Sequence, residues 1–292
     1  MDDLWYSEYH VPTARFSIQV KGQLHRERSD FQHIAVYESE GFGRFLTLDG
    51  VMMLTERDEF IYHEMITHPA MAVNPDIRRV LVIGAGDGGV LRELSKYPGI
   101  ESMDVAEIDP RVVEVCREFL PQTAKGLSDP RVTLHFQDGI KFVRHKRSAY
   151  DLIIVDSTDP FGPGEVLFTR EFYGNCLTAL KEDGILINQN ESPFYPEDAV
   201  SMQSAHRAIA QIFPESHVYQ AHIPTYPSGH WLFGFASRGL HPLRDHKAAA
   251  WEALGIKTRY YNPALHGGAF CLPTYVKELL EIGEERSDLP GL

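Results

Sequence analysis

The stretch that decides the fold is Arg79-Val80-Leu81-Val82-Ile83-Gly84-Ala85-Gly86-Asp87-Gly88-Gly89, a short apolar run that turns through glycines into a helical pattern from Val90 to Tyr97. A run of this length bounded by turn residues reads as a buried strand, and glycines at its end let the backbone approach a nucleotide-like ligand closely. Working outward, apolar runs recur at Met103 to Ile108, Val132 to Phe136, Leu152 to Val155 and Ile185 to Asn188. Helical patterns at Pro110 to Leu120 and Glu171 to Leu180 separate them. Strand and helix alternating in this way predict an α/β chain with a mostly parallel, doubly wound sheet, whose ligands sit beyond the carboxyl ends of the strands.

The chain reads differently before this point. Between Arg15 and Thr55 the pattern is period two and rich in turns: Phe16, Ile18 and Val20 alternate with polar residues, and Ile34, Val36 and Tyr37 lead to Glu40-Gly41-Phe42-Gly43. Phe45 to Leu54 reads as two strands joined by an Asp49-Gly50 turn, since Asp-Gly accepts the positive φ that a tight hairpin needs. A small β domain is expected here. A helical stretch from Glu56 to Ala72 follows and stops before Asn74-Pro75.

With 292 residues the chain can bury one large core and carry a smaller appendage. Hydrophobic content of 43% and charged content of 24% are those of a globular protein. No apolar run approaches the roughly 20 residues of a membrane helix, so no membrane partner is expected. Met1-Asp2-Asp3-Leu4-Trp5 places acids where a secretory signal carries bases, which makes the cytoplasm the expected compartment. Three widely spaced cysteines, Cys116, Cys176 and Cys271, read as reduced core thiols. A net charge of −13 opposes any role that depends on neutralising phosphates, so no nucleic acid is expected, and it favours cationic ligands.

Chemistry concentrates at the strand ends. The second strand ends at Glu107-Ile108-Asp109, the usual place for a carboxylate that grips both hydroxyls of a ribose. The third ends at Gln137-Asp138-Gly139, where an acid either accepts from an adenine amine or caps the next helix. Asp87 lies inside the glycine turn, where it would repel a pyrophosphate or the methionine carboxylate of an ordinary methyl donor. A donor tail ending in a bare ammonium would be attracted there instead. The fourth strand ends at Asp156-Ser157-Thr158-Asp159-Pro160 and the fifth near Gln189-Asn190-Glu191. Crowding Asp87, Asp156, Asp159 and Glu191 together is costly unless a polycation sits among them. An attacking amine with a reference pKa near 10.4 needs roughly 4–5 kcal/mol to be presented neutral at pH 7, and Asp156 is the candidate base. Tyr62 and Tyr226 either steer the nucleophile or serve as packed aromatics. Attack beside a sulfonium calls for no metal, only in-line placement.

These stretches resemble the polyamine aminopropyltransferase family, spermidine synthases in particular, over nearly the full length. The similarity is carried by Ser29-Asp30-Phe31-Gln32, by Glu56 to Met65, by the glycine turn with Asp87, by Ala106-Glu107-Ile108-Asp109, by Asp156 to Pro160, and by Thr225-Tyr226-Pro227-Ser228-Gly229. The resemblance implies a methyltransferase-like Rossmann domain over residues 61–292 behind an N-terminal β domain over residues 1–60. It implies transfer of an aminopropyl group from decarboxylated S-adenosylmethionine, a co-substrate rather than a cofactor, to putrescine or another small polyamine. Spermidine and methylthioadenosine would be the products. Gln32, His63, Gly84, Gly86, Asp87, Glu107, Asp138 and Gly139 would hold the donor, with Asp87 on its aminopropyl amine. Asp156 would take the proton beside Tyr62 and Tyr226, and Trp5, Asp159 and Glu191 would meet the far end of the acceptor. Homodimers or homotetramers are implied. Ala85 stands where the family usually has a glycine; at negative φ its methyl intrudes little, and a slightly tighter donor site is expected.

Two rivals carry different predictions. A methyltransferase on the same fold is opposed by Asp87 and by the pair Asp156 and Asp159. A polyamine sensor would share the acidic crevice without turnover. A zinc protease reading fails because His63 and His68 are five apart and so lie on different helix faces.

Overall fold

The computed structural model describes residues 4–157 and 169–285. Five strands, β1 (Trp5–Val11), β2 (Ala14–Arg28), β3 (His33–Ser39), β4 (Gly43–Leu48) and β5 (Val51–Thr55), form an antiparallel meander in sequence order. The β4–β5 turn is tight because Asp49 and Gly50 both take positive φ, 50° and 86°. Helix α1 (Glu59–Val73) follows. It begins later than Glu56 because that residue still belongs to the meander: its N–H donates to the Arg44 carbonyl, and its carboxylate accepts from the Arg44 N–H at 2.8 Å.

The second unit continues with β6 (Arg79–Gly84), α2 (Gly89–Leu94), β7 (Ser102–Glu107), α3 (Pro110–Phe119), α4 (Pro121–Ala124), β8 (Val132–Phe136), α5 (Gly139–Val143) and β9 (Tyr150–Asp156). Then come α6 (Arg170–Ala179), β10 (Leu180–Gln189), α7 (Pro196–Ala210), β11 (Glu215–His222) and β12 (His230–Ser237). The chain closes with α8 (Ala248–Ala253), α9 (Pro263–Ala269) and α10 (Thr274–Glu285). The sheet order is β8-β7-β6-β9-β10-β12-β11. Strands β6 to β10 run parallel, and the last two add an antiparallel edge. Winding changes direction between β6 and β9, which opens a crevice at their carboxyl ends.

Helix α1 is buried almost throughout, and it packs against β10, β11, α2 and α8. Pro69 lies inside it and cannot donate to the Met65 carbonyl. The Tyr219 hydroxyl on β11 donates to that carbonyl instead, at 2.8 Å, so the proline leaves no orphaned acceptor. The Tyr260-Tyr261 segment is also tied to α1: the Arg259, Tyr260 and Tyr261 N–H groups donate to the Glu64 carboxylate at 2.8 to 2.9 Å. Cys116 and Cys176 are buried, whereas Cys271 is exposed. It follows α9, whose inward-facing residues include His266 and Ala269, and the core does not enclose it.

Candidate active site

Two adjacent strand ends build the centre of the crevice. Gly84 pairs with Asp156 in the β6–β9 register, and the Ala85 N–H donates to the Asp156 carbonyl at 3.0 Å. Gly84 sits at φ 86°, where a Cβ would lie 1.9 Å from that same carbonyl oxygen. Only glycine fits. Ala85 also has positive φ, 62°, so the condition under which its methyl would intrude little is not met. Its methyl is held in the left-handed region at a cost of about 1–2 kcal/mol.

Around this centre the strand ends bring the acids together. The cleft is lined by Gln32, Asp87, Glu107, Asp138 and Asp156 among others. Glu107 accepts from the Asp109 N–H at 2.8 Å. Burial nevertheless pushes its carboxyl up to about 7. Gly86 stays bare because a Cβ would sit 2.9 Å from the Glu107 Oε2, and a Cβ at Gly139 would sit 2.4 Å from Ile83. Asp138 caps α5 by accepting from the Ile140 N–H at 2.8 Å while still lining the cleft. The Gln32 amide donates to Asp109 at 2.9 Å, and the Ser29 hydroxyl donates to the same carboxylate at 2.6 Å. Asp109 thus fixes the loop that brings Gln32 to the cleft.

Asp156 accepts a 2.5 Å hydrogen bond from the Tyr62 hydroxyl of α1. Burial, and after it the Asp87 charge, push Asp156 up to about 7. Burial and the same carboxylate push the Tyr62 hydroxyl well above its usual range, so Tyr62 remains a donor. The Tyr226 ring lies 5.8 Å from that of Tyr62, and its hydroxyl donates to the Met53 carbonyl of β5 at 2.5 Å. Its loop is held by Asp58, whose carboxylate accepts from the Thr225 hydroxyl at 2.8 Å and the Thr225 N–H at 3.2 Å.

Asp87 behaves in the opposite way. Its Oδ1 accepts from the Gly89 N–H at 2.7 Å and lies 3.2 Å from His63 Nε2. Burial pushes it up, but the His63 charge overrides this and holds it below the usual carboxylate range. His63 Nδ1 lies 2.5 Å from Glu59, one helical turn earlier on α1. Burial alone would lower the imidazole, yet the Asp87 and Glu59 carboxylates outweigh it and raise it to about 10. His63 is therefore an imidazolium, and although it lines the cleft, both ring nitrogens are taken by protein carboxylates.

The far-end residues are placed differently. Trp5, on β1, is 54% exposed and lies outside the cleft lining. Asp159 falls outside the described residues. Glu191 is buried just past Gln189, a lining residue, and its carboxylate accepts from the Gln189 amide at 3.2 Å. It takes φ 63°, a strained conformation for a non-glycine residue.

Sequence reasoning missed Glu59, Arg92, Asp58 and Asp109 as parts of the site. Glu59 was within reach, since an acid four residues before a helical histidine shares its face. The Asp58 contact spans too much sequence to be read locally.

Residues 59–245 match the spermine/spermidine synthase domain family, and residues 4–56 match the spermidine synthase tetramerisation domain family. The polyamine aminopropyltransferase of Alkaliphilus oremlandii is 63% identical over 283 residues, covering 97% of this chain and all of that protein. That of Clostridium beijerinckii is 61% identical, over 95% of this chain and 98% of the relative. Among solved structures, a spermidine synthase in complex with the transition state analogue AdoDATO superposes with a TM-score of 0.94 at 39% identity, covering 97% of this chain and 96% of that one. The Thermotoga maritima spermidine synthase follows at 0.91 and 38%, covering 96% and 95%. Matched by this family model over residues 59–245 and 63% identical to a relative across nearly its whole length, the chain belongs to the spermine/spermidine synthase family of aminopropyltransferases.

Proposed function

We propose that the protein transfers the aminopropyl group of decarboxylated S-adenosylmethionine to putrescine, giving spermidine and methylthioadenosine. The observation that carries this is the pair Asp87 and Asp156, partly buried on one cleft and driven in opposite directions. A carboxylate held ionised suits a permanent ammonium on the donor tail. One raised to about 7 suits a base that must take a proton and release it.

In this reading Glu107 accepts from the ribose hydroxyls, and Asp138 and Gln32 meet the adenine end. The bare turn at Gly84 and Gly86, with Gly139 opposite, admits the nucleoside. Asp156 accepts the proton of the acceptor's ammonium, steered by Tyr62 and Tyr226. The freed nitrogen lone pair attacks the methylene beside the sulfonium in line; the C–N bond forms, the C–S bond breaks, and its electrons return to sulfur. The leaving group is a neutral thioether, so no Lewis acid is called for. His63 supports the donor side through Asp87, and Glu191, with Trp5 and Asp159, belongs to the acceptor's far end. Assembly as a homodimer or homotetramer is part of the same proposal, supported by the family match of the N-terminal residues. So is work in the cytoplasm on free small molecules; no helix among the described residues is long and apolar enough to cross a membrane.

The test is an endpoint assay with decarboxylated S-adenosylmethionine and, separately, putrescine, cadaverine, agmatine and spermidine, reading methylthioadenosine and product mass. Putrescine is expected to be preferred. Methylthioadenosine formed with another amine would keep the chemistry and move the acceptor; none with any amine would sink the proposal.

A further inference from the structure

The carboxylate expected to meet the donor's ammonium does not stand alone. Behind it runs a buried line of charges. Arg92 of α2 grips Glu59 with two parallel bonds, Nη1 to Oε1 at 2.7 Å and Nη2 to Oε2 at 2.8 Å. Glu59 holds His63 Nδ1, and His63 Nε2 faces Asp87 Oδ1. The guanidinium is braced in turn by Glu93, its Nε donating to Oε1 at 3.0 Å. Arg92, Glu59, His63 and Asp87 alternate in sign along the line, so each charge has an opposite one beside it in a site largely withdrawn from solvent.

The His63 ring is packed directly against the start of α2. A Cβ at Gly89 would fall 2.2 to 2.4 Å from three atoms of the His63 ring, so α2 gives up a side chain to admit it. Because the Gly89 N–H and His63 both bind Asp87 Oδ1, the carboxylate is fixed on one oxygen and the other is left for a ligand.

We propose that Glu59, clamped by the Arg92 fork, is a positioning residue: through His63 it sets the Asp87 carboxylate for the aminopropyl ammonium of the donor. The inference rests on the functional reading above. It differs from a merely structural role in one respect: only the part of the donor that carries the ammonium should sense it. Methylthioadenosine, with the same adenine and ribose but neither the ammonium nor the sulfonium charge, should not.

Glu59→Gln removes the negative charge while leaving an amide oxygen to accept from His63. Asp87, the stronger raising influence on the imidazole, continues to favour the charged ring, so the line behind Asp87 gains one unit of positive charge. Both this charge and the slackened ring oppose an ammonium. The expected result is a rise in KM for decarboxylated S-adenosylmethionine of about tenfold or more, with kcat within about threefold. The Kd for methylthioadenosine, measured by calorimetry, is expected to stay within about twofold. Arg92→Lys keeps the charge but loses the two-pronged geometry, and should raise the donor KM in the same direction by about three- to fivefold. It also keeps the test alive if Glu59→Gln fails to fold. Parallel loss of donor and methylthioadenosine binding would make Glu59 a structural residue and overturn the inference, as would an unchanged donor KM in both variants. A wild type that binds methylthioadenosine but never the decarboxylated donor would overturn the functional reading, and this inference with it.

Discussion

Asp87 and Asp156 stand at the ends of neighbouring strands, face the same cleft and are both partly buried, yet one is held ionised and the other is pushed up to about 7. The difference lies in their partners. Asp87 has an imidazolium and a backbone N–H in direct contact; Asp156 is hydrogen-bonded to a neutral phenol, and the more distant His63 charge does not offset its burial and the repulsion of Asp87. Their opposite behaviour is therefore a property of the elements behind them, α1 and α2 for one, α1 alone for the other. Two aspartates can thus differ in charge state with no difference in residue type.

The strongest way to break this comparison is Asp156→Asn. Turnover is expected to fall about a hundredfold or more while donor binding survives; unchanged turnover would remove Asp156 from the base role. The same variant sharpens the electrostatic side. A carboxyl with a folded pKa raised above its unfolded value binds more protons folded than unfolded, so its presence costs stability as pH rises from about 4 to 7. Asp156→Asn should thus melt higher than wild type at pH 8, by about 1 kcal/mol or more, and show little gain at pH 4. Asp87→Asn tests the other partner: affinity for the decarboxylated donor should drop by about 2 kcal/mol, the scale of a charge-assisted hydrogen bond, with kcat less affected. Equal affinity in a binding titration would end the ammonium assignment.

A smaller effect separates the pair by pH. The donor brings two cations, sulfonium and ammonium, which favour the ionised form of Asp156. Its binding should release protons near pH 7 and weaken several-fold as pH falls through about 7. Glu107, also raised to about 7, contributes to the release when the ribose binds. Methylthioadenosine should release fewer protons than the donor, and calorimetry in buffers of differing ionisation enthalpy measures both. The smallest expected effect is at Ala85, beside both strand ends. Ala85→Gly removes a left-handed alanine but loosens the unfolded chain, for a net gain of about 1 kcal/mol or less, read as a modest rise in Tm.

What the sequence makes legible follows from distance along the chain. The glycine turn, Glu107, Asp138 and Asp156 stand at strand ends, where a period and its interruption are local, and the resemblance added Gln32 and His63. What supports them is not local. Glu59 meets Arg92 across two helices, Asp58 meets Thr225 across the whole catalytic unit, and neither contact leaves a spacing to read. The antiparallel β11 and β12 lacked a clear alternation, with β12 almost wholly buried. Ala85 shows the limit most plainly. Its identity was visible as a departure, while its positive φ depends on the hydrogen bond that ties it to Asp156.

The Asp58 clamp and the Tyr226 hydroxyl on Met53 have a bearing on recombination. Both stitch the loop over the cleft to the end of the N-terminal meander. A chimera that exchanges the first domain with a relative's at the β5–α1 junction would inherit a roof cut for another wall. Met53, Asp58, Thr225 and Tyr226 should travel as one block, however far apart they are written in the gene.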